Sequence, residues 1–175
     1  MVGAARAHLS KPEAPSLLIV DAQSVKNADT ARHKGYDAGK NVSGIKRHIA
    51  VDTNGFPHAI HVTTANVTDR TGALEAMAAA QGDLRSVRCV LVDGGYTGKP
   101  FANGIQAALG THVSVVVAKR SALHTFEVVP KRWIVERSFA WLDKCRRLWK
   151  NCERALATSH QMIVMAFLCL VIKRL

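Results

Sequence analysis

Leu17-Leu18-Ile19-Val20 is a short apolar run that ends in Asp21, and Val87–Val92 is a second that ends in Asp93. Apolar runs this short, bounded by polar residues, predict buried central strands. Lys46–Thr53 and Phe56–Thr63 flank Asn54-Gly55. That pattern predicts a hairpin with both central turn residues at positive φ. Pro57 has no N–H for a ladder bond, which predicts that its strand lies at a sheet edge. His112–Ala118 reads as a fifth strand. Asp69–Gln81 is Ala-rich and opens on an acid, so a helix capped by Asp69 is expected. Pro100–Leu109 predicts a short helix. Pro130 opens a longer helix at the position where its missing N–H costs least. A last helix is expected over Ala155–Arg174. Residues 1–16 read as a loose leader, and Asn27–Ser43 as a polar loop. The order of elements predicts one α/β domain over residues 17–175, a mixed five-stranded sheet flanked by helices.

The 175 residues are 48% hydrophobic and 21% charged, a globular balance that excludes a disordered chain. Lys and Arg number 24 against 13 Asp and Glu, giving a net charge of +11. Such a surplus points to a polyanion, usually nucleic acid, as partner. Cys89, Cys145, Cys152 and Cys169 show no C-x-x-C spacing and fit reduced thiols in a cytoplasmic protein. Met1–Pro15 lacks the apolar stretch of a signal peptide. Met162–Ile172 is apolar throughout but falls short of the ~20 residues that span a bilayer. A buried helix is the better account, so no membrane partner is expected.

Acids at the carboxyl ends of neighbouring central strands mark the usual place for a site in an open α/β sheet. Strand spacing of ~5 Å would bring Asp21 and Asp93 together, and a bound cation is the usual remedy for their repulsion. Glu136 is the third candidate. It lies off the apolar stripe of its helix (Ile134, Trp141, Cys145, Leu148). Arg132, Asp143 and Arg147 fall within about 60° of it at 3.6 residues per turn. Three carboxylates suit a pair of hard divalent ions ~4 Å apart, Mg²⁺ or Mn²⁺ rather than zinc. Each acid also has a plain alternative. Asp21 would be a polar strand end, Asp93 the start of the Gly94-Gly95 turn, and Glu136 an exposed partner of Arg132. Lys26, Lys46, Arg47, Lys119, Arg120, Arg132, Arg137 and Lys144 are candidates for phosphate contacts, or for plain surface charge. Trp133 and Trp141 read as core residues. His58 and His61 read as surface residues on opposite faces of a strand. Tyr96 is a candidate DNA contact.

Several segments together resemble one family. Asp21-Ala22-Gln23-Ser24-Val25-Lys26 is similar to the D-x-Q-S-V-K segment around the first catalytic Asp of bacterial insertion-sequence transposases. Gly44–Gly55 resembles their G-x-K-R-H-x-x-V-D-x-x-G hairpin, and Ala65–Arg70 their A-N-x-x-D element. Asp93-Gly94-Gly95-Tyr96 resembles D-x-G-Y, and Arg132–Leu142 resembles R-W-x-V-E-R-x-F-A-W-L. The likeness runs from Leu17 to the carboxyl end, and the chain resembles insertion-sequence-five-like members of the larger insertion-sequence-four DDE superfamily. It implies an RNase H-like fold, Asp21, Asp93 and Glu136 as the triad, and Mg²⁺-dependent cleavage of DNA followed by strand transfer. It also implies a homodimer or higher multimer on DNA. Two features depart from the pattern. Asp143 stands where the family usually carries a basic residue, with Lys144 and Arg147 as substitutes. Nor does the sequence before Leu17 show the helix-turn-helix domain of full-length relatives. The alternatives are a non-catalytic DNA-binding remnant of a transposase and an RNase H-like nuclease of another role.

Overall fold

The computed structural model describes residues 1–118 and 131–175. Strands β1 (Leu17–Lys26), β2 (Gly35–Asp37), β3 (Val42–Val51), β4 (Pro57–Thr64), β5 (Cys89–Val92) and β6 (Ser114–Val117) form one mixed sheet. The spatial order is β2-β3-β1-β5-β6, with β4 also on β3. β1 runs antiparallel to β3 and parallel to β5, and β5 runs parallel to β6. The expected five strands are therefore joined by a sixth. β2 is three residues long and polar, so it leaves no apolar signature in the Asn27–Ser43 stretch.

Period-two alternation divides the core between the two faces of the sheet. Leu18 and Val20 of β1, with Val90 and Val92 of β5, pack beneath α2 (Asp69–Ala80) and α3 (Lys99–Leu109), against Met77, Phe101 and Ile105. Ile19 and Leu91 point the other way, toward α4 (Trp133–Asp143) and α5 (Leu156–Ile172), against Val135, Phe139, Leu142, Ile163 and Phe167. The same parity puts Asp21 and Asp93 on the α4 face.

Several local expectations are corrected. Thr68 caps α2, its hydroxyl accepting from Thr71 N–H, and Asp69 is the first helical residue. At the hairpin only Gly55 takes positive φ (83°). Asp52 carries the turn: its carbonyl accepts from Gly55 N–H at 3.0 Å and its Oδ1 from Asn54 N–H at 2.7 Å. That is a type I turn closed by a left-handed glycine, with a bulge between Ala50 and Val51. β4 does lie at an edge, with β3 as its one strand partner among the described residues. The leader contains α1 (Val2–His8), whose buried Arg6 pairs with buried Asp52. Pro130 lies outside the described residues, and α4 begins at Trp133. No described helix is long and apolar enough to cross a membrane.

Candidate active site

β1 does not end at Asp21. Its register with β5 stops at Ile19↔Leu91, while its pairing with β3 continues to Lys26↔Gly44. The β5 side of β1 is left without a strand partner at Asp21, because β5 ends at Val92 and the chain turns through a one-turn 3-10 helix, Gly94–Tyr96. Asp93 caps that turn, its Oδ1 accepting from Gly95 N–H at 2.8 Å. Its Oδ2 is left to face outward, 3.5 Å from Arg132 Nη2. Arg132 lies at the amino end of α4 and also reaches Glu136 Oε1 at 3.6 Å. One guanidinium thus spans the second and third candidate acids. The Glu136 side chain is 58% exposed.

Burial pushes the Asp21 carboxyl up to about 6. The Ala22 N–H, which donates to Oδ1 at 2.8 Å, opposes the shift. The nearby Asp93 charge adds to it, while Arg132 and Lys40 moderate it. The arrangement is therefore two repelling carboxylates, with a third, exposed one tied to Asp93 by a cation. Among the described residues no three acidic, His or Cys side chains already stand close enough to grip an ion. Glu136 reaches the aspartates through Arg132 rather than directly. The donor set still suits a hard divalent cation: all ligands are carboxylate oxygens, and Asp21 is strained by its neighbour's charge. Tyr96 supports the fit. It is buried, its hydroxyl has no hydrogen-bond partner among the described residues, and it lies in the field of Asp21, Asp69 and Asp93. It is thus placed beneath the acids, not on a DNA-facing surface.

The structure takes Lys46 and Arg47 out of the phosphate-contact set. They are neighbours on β3, which is paired on both sides, so they point to opposite faces and each is covered by a helix layer. Lys46 Nζ lies 3.0 Å from Asp37 and 2.8 Å from Asp69, and donates to Val67 O. Arg47 is 1% exposed, donates to Leu148 O, and lies 3.6 Å from Asp143. Asp143 also accepts from Gln23 at 2.9 Å, so the acid at the departing family position ties α4 to β1 and β3. Arg147 pairs with Glu153 at 2.8 Å. Arg137 is stacked between Trp133 and Trp141, at 4.6 and 4.7 Å, and donates to Asn54 O at 3.0 Å. Trp133 is 48% exposed and Trp141 half-buried, so neither is the core residue expected. His58 is not a surface histidine: it reaches buried Asp52 at 3.3 Å. Lys26 and Lys144 are exposed. Lys119 and Arg120 lie outside the described residues. Lys40 and Arg70 escape a reading of the sequence. Lys40 Nζ lies 3.2 Å from Ala22 O, and Arg70 Nε donates to Gly95 O at 2.8 Å. Lys40 sits in a polar segment without periodicity, whereas Arg70 lies in the first turn of α2, at the end of the Ala65–Arg70 motif, where nothing in the pattern marks its side chain as turned toward Gly95.

The family described as Transposase DDE domain matches residues 12–172. The chain belongs to this family. Over 135 residues the transposase domain is 34% identical to "Putative transposase for insertion sequence element IS402" from Burkholderia cepacia. The match takes in 73% of this chain and 62% of that relative, so the chain spans less than two thirds of the relative's length. Among solved structures, the transposase domain is similar to a chain in "CryoEM structure of simian T-cell lymphotropic virus intasome in complex with PP2A regulatory subunit B56 gamma". The TM-score is 0.55 at 15% identity, over 88% of this chain and 48% of the other. That likeness is one of fold, and bears out the RNase H-like α/β class.

Proposed function

We propose that the chain is the catalytic domain of an insertion-sequence-five-like DNA transposase, with residues 17–175 as the catalytic unit and 1–16 as its leader. It acts on DNA in the bacterial cytoplasm as a homodimer or higher multimer. The observation that carries this reading is the shared face of Asp21, Asp93 and Glu136, with Arg132 joining two of them.

Asp21, Asp93 and Glu136 would hold two Mg²⁺ or Mn²⁺ ions. Bound there, the metals would supply activation of the attacking oxygen and stabilisation of the leaving one. The chain's own residues supply the rest. The β1–β5 register fixes the spacing of the two aspartates. Gly95 N–H holds one oxygen of Asp93 so that the other faces the site. Glu136, on an exposed helical turn, swings inward once Arg132 turns from the acids to a phosphate. Lys26, Arg132 and Lys144 contact the DNA backbone, and such contacts make binding steeply salt-dependent.

Mg²⁺-dependent nicking of supercoiled plasmid by wild type and Glu136→Gln tests the reading. Loss of at least ~10²-fold is expected, the order found when a group acting on transition-state charge is removed. Equal nicking by both proteins overturns the site assignment. Absence of nicking by wild type, with DNA binding retained, replaces the reading with a non-catalytic remnant. Transfer of a labelled 3′-OH oligonucleotide into plasmid distinguishes a transposase from a nuclease.

A further inference from the structure

We propose that the Gly35–Asn41 segment serves to place the Lys40 ammonium beside the Asp21–Asp93 pair, where it binds a phosphate of the DNA strand being cut. The proposal rests on the transposase reading and adds a substrate-binding residue to it.

The segment is closely tied down for a stretch so polar. Gly35 passes so close to Asn66 that a Cβ would lie 1.9 Å from Asn66 Oδ1, so no other residue fits without a shift. Tyr36 donates its hydroxyl to Asn41 Oδ1 at 2.9 Å. Asp37 is the organiser. Its Oδ1 accepts from Gly39 N–H at 3.1 Å and Lys40 N–H at 3.2 Å, and its Oδ2 accepts from Ser24 Oγ at 2.6 Å. Burial alone would raise the Asp37 carboxyl, but the bonds from Ser24 and Lys46 outweigh it and hold the group at about 2. The turn is thereby anchored on both β1 and β3.

What this anchoring delivers is Lys40. Its Nζ lies 3.2 Å from Ala22 O, the carbonyl directly after Asp21, and 3.2 Å from Asp69 Oδ2. Fold stability is a poor reason for holding it there. Asp69 already has the buried Lys46 ammonium at 2.8 Å. The Lys40 side chain is 42% exposed. A pair so exposed contributes little, and less than the rotamer freedom a lysine gives up to hold it. An ammonium has three donors, and two are engaged here. The charge also lies in the field of Asp21, at a site that otherwise repels DNA through its carboxylates. Arg132 supplies a cation on the α4 side, and Lys40 supplies one on the β2 side. A phosphodiester approaching Asp21 passes between them.

The test uses the whole chain, a fluorescent duplex of about 30 base pairs for binding and supercoiled plasmid with Mg²⁺ for nicking. For Lys40→Gln, the slope of log affinity against log salt should fall in magnitude by about one, the loss of one phosphate contact. The nicking rate at saturating plasmid should fall about ten-fold or more. Lys40→Arg should keep the slope and most of the rate, and both variants should unfold within ~2 °C of wild type. An unchanged slope in Lys40→Gln overturns the phosphate contact. A reduced slope with an unchanged saturating rate overturns the placement at the site. A large fall in melting temperature for both variants, with the slope intact, assigns Lys40 a purely structural role and also overturns the proposal. If wild type binds DNA but never nicks it, the transposase reading fails, and the slope alone decides whether Lys40 is a phosphate ligand.

Discussion

Replacing Asp21 with Asn should stabilise the protein while abolishing its chemistry. The carboxyl stands at about 6 in the folded chain against 3.8 when unperturbed. Between those values the folded state holds a proton that the unfolded state has released, so stability falls as pH rises through that window. Above about pH 6 the penalty is complete, and a difference of about 2.2 between the two values corresponds to about 3 kcal/mol. Asn carries no charge and keeps an oxygen for the Ala22 N–H, so most of the penalty is removed. We expect Asp21→Asn to gain about 2 kcal/mol at pH 7.5, or roughly 4–8 °C for a domain of this size. The gain should vanish below about pH 4. Urea unfolding of both proteins at pH 4 and pH 7.5, in EDTA, measures it. Adding Mg²⁺ at pH 7.5 should then raise the melting temperature of wild type but not of the variant, because only the charged site gains from the ion. A variant no more stable than wild type at pH 7.5, or equally more stable at pH 4, refutes the account of a buried carboxylate strained by its neighbour.

Gly72→Ala should destabilise the protein although Gly72 lies within α2, where Ala is the better helix former. The added Cβ would sit 2.1 Å from His48 Nε2, a ring fixed in the interior by its bond to Thr63, so a loss of about 1–3 kcal/mol is expected by chemical denaturation. Arg6→Ala takes the guanidinium from the buried Asp52 carboxylate but leaves it His58 and the Asn54 and Phe56 N–H groups, so the loss should fall near or below the low end of the about 3–5 kcal/mol for an uncompensated buried charge. The same urea titration reads it, and an effect under ~1 kcal/mol would show that α1 contributes little to the fold.

The strands and their acids are legible because a sheet covered on both faces demands short, unbroken apolar runs. Leu17–Val20 and Cys89–Val92 are such runs, and their parity carries Asp21 and Asp93 to one face. The Asn54-Gly55 signal locates the hairpin but not its turn, because Asp52 side-chain bonds override the two-residue geometry. Lys46 and Arg47 read as surface cations for one reason: charge pattern alone does not say that a strand is central. Once β3 is known to be paired on both edges, consecutive residues are both interior, and both charges need internal partners. Trp133 goes the other way, an aromatic residue stacked on a cation at the surface. β2 and the Lys40 turn carry no periodic signal, because their shape comes from Asp37, Gly35 and Asn66 acting across long sequence separations.

The two aspartates belong to strands completed early in the polypeptide, whereas Glu136 and its bridging Arg132 arrive on a helix near the other end. If these three acids form the proposed site, a nascent chain on the ribosome that has paired β1, β3 and β5 would hold it half-built, without its third carboxylate. On the proposed assignment, competence to cut would await docking of the last helices, and partly synthesised or clipped copies would lack it.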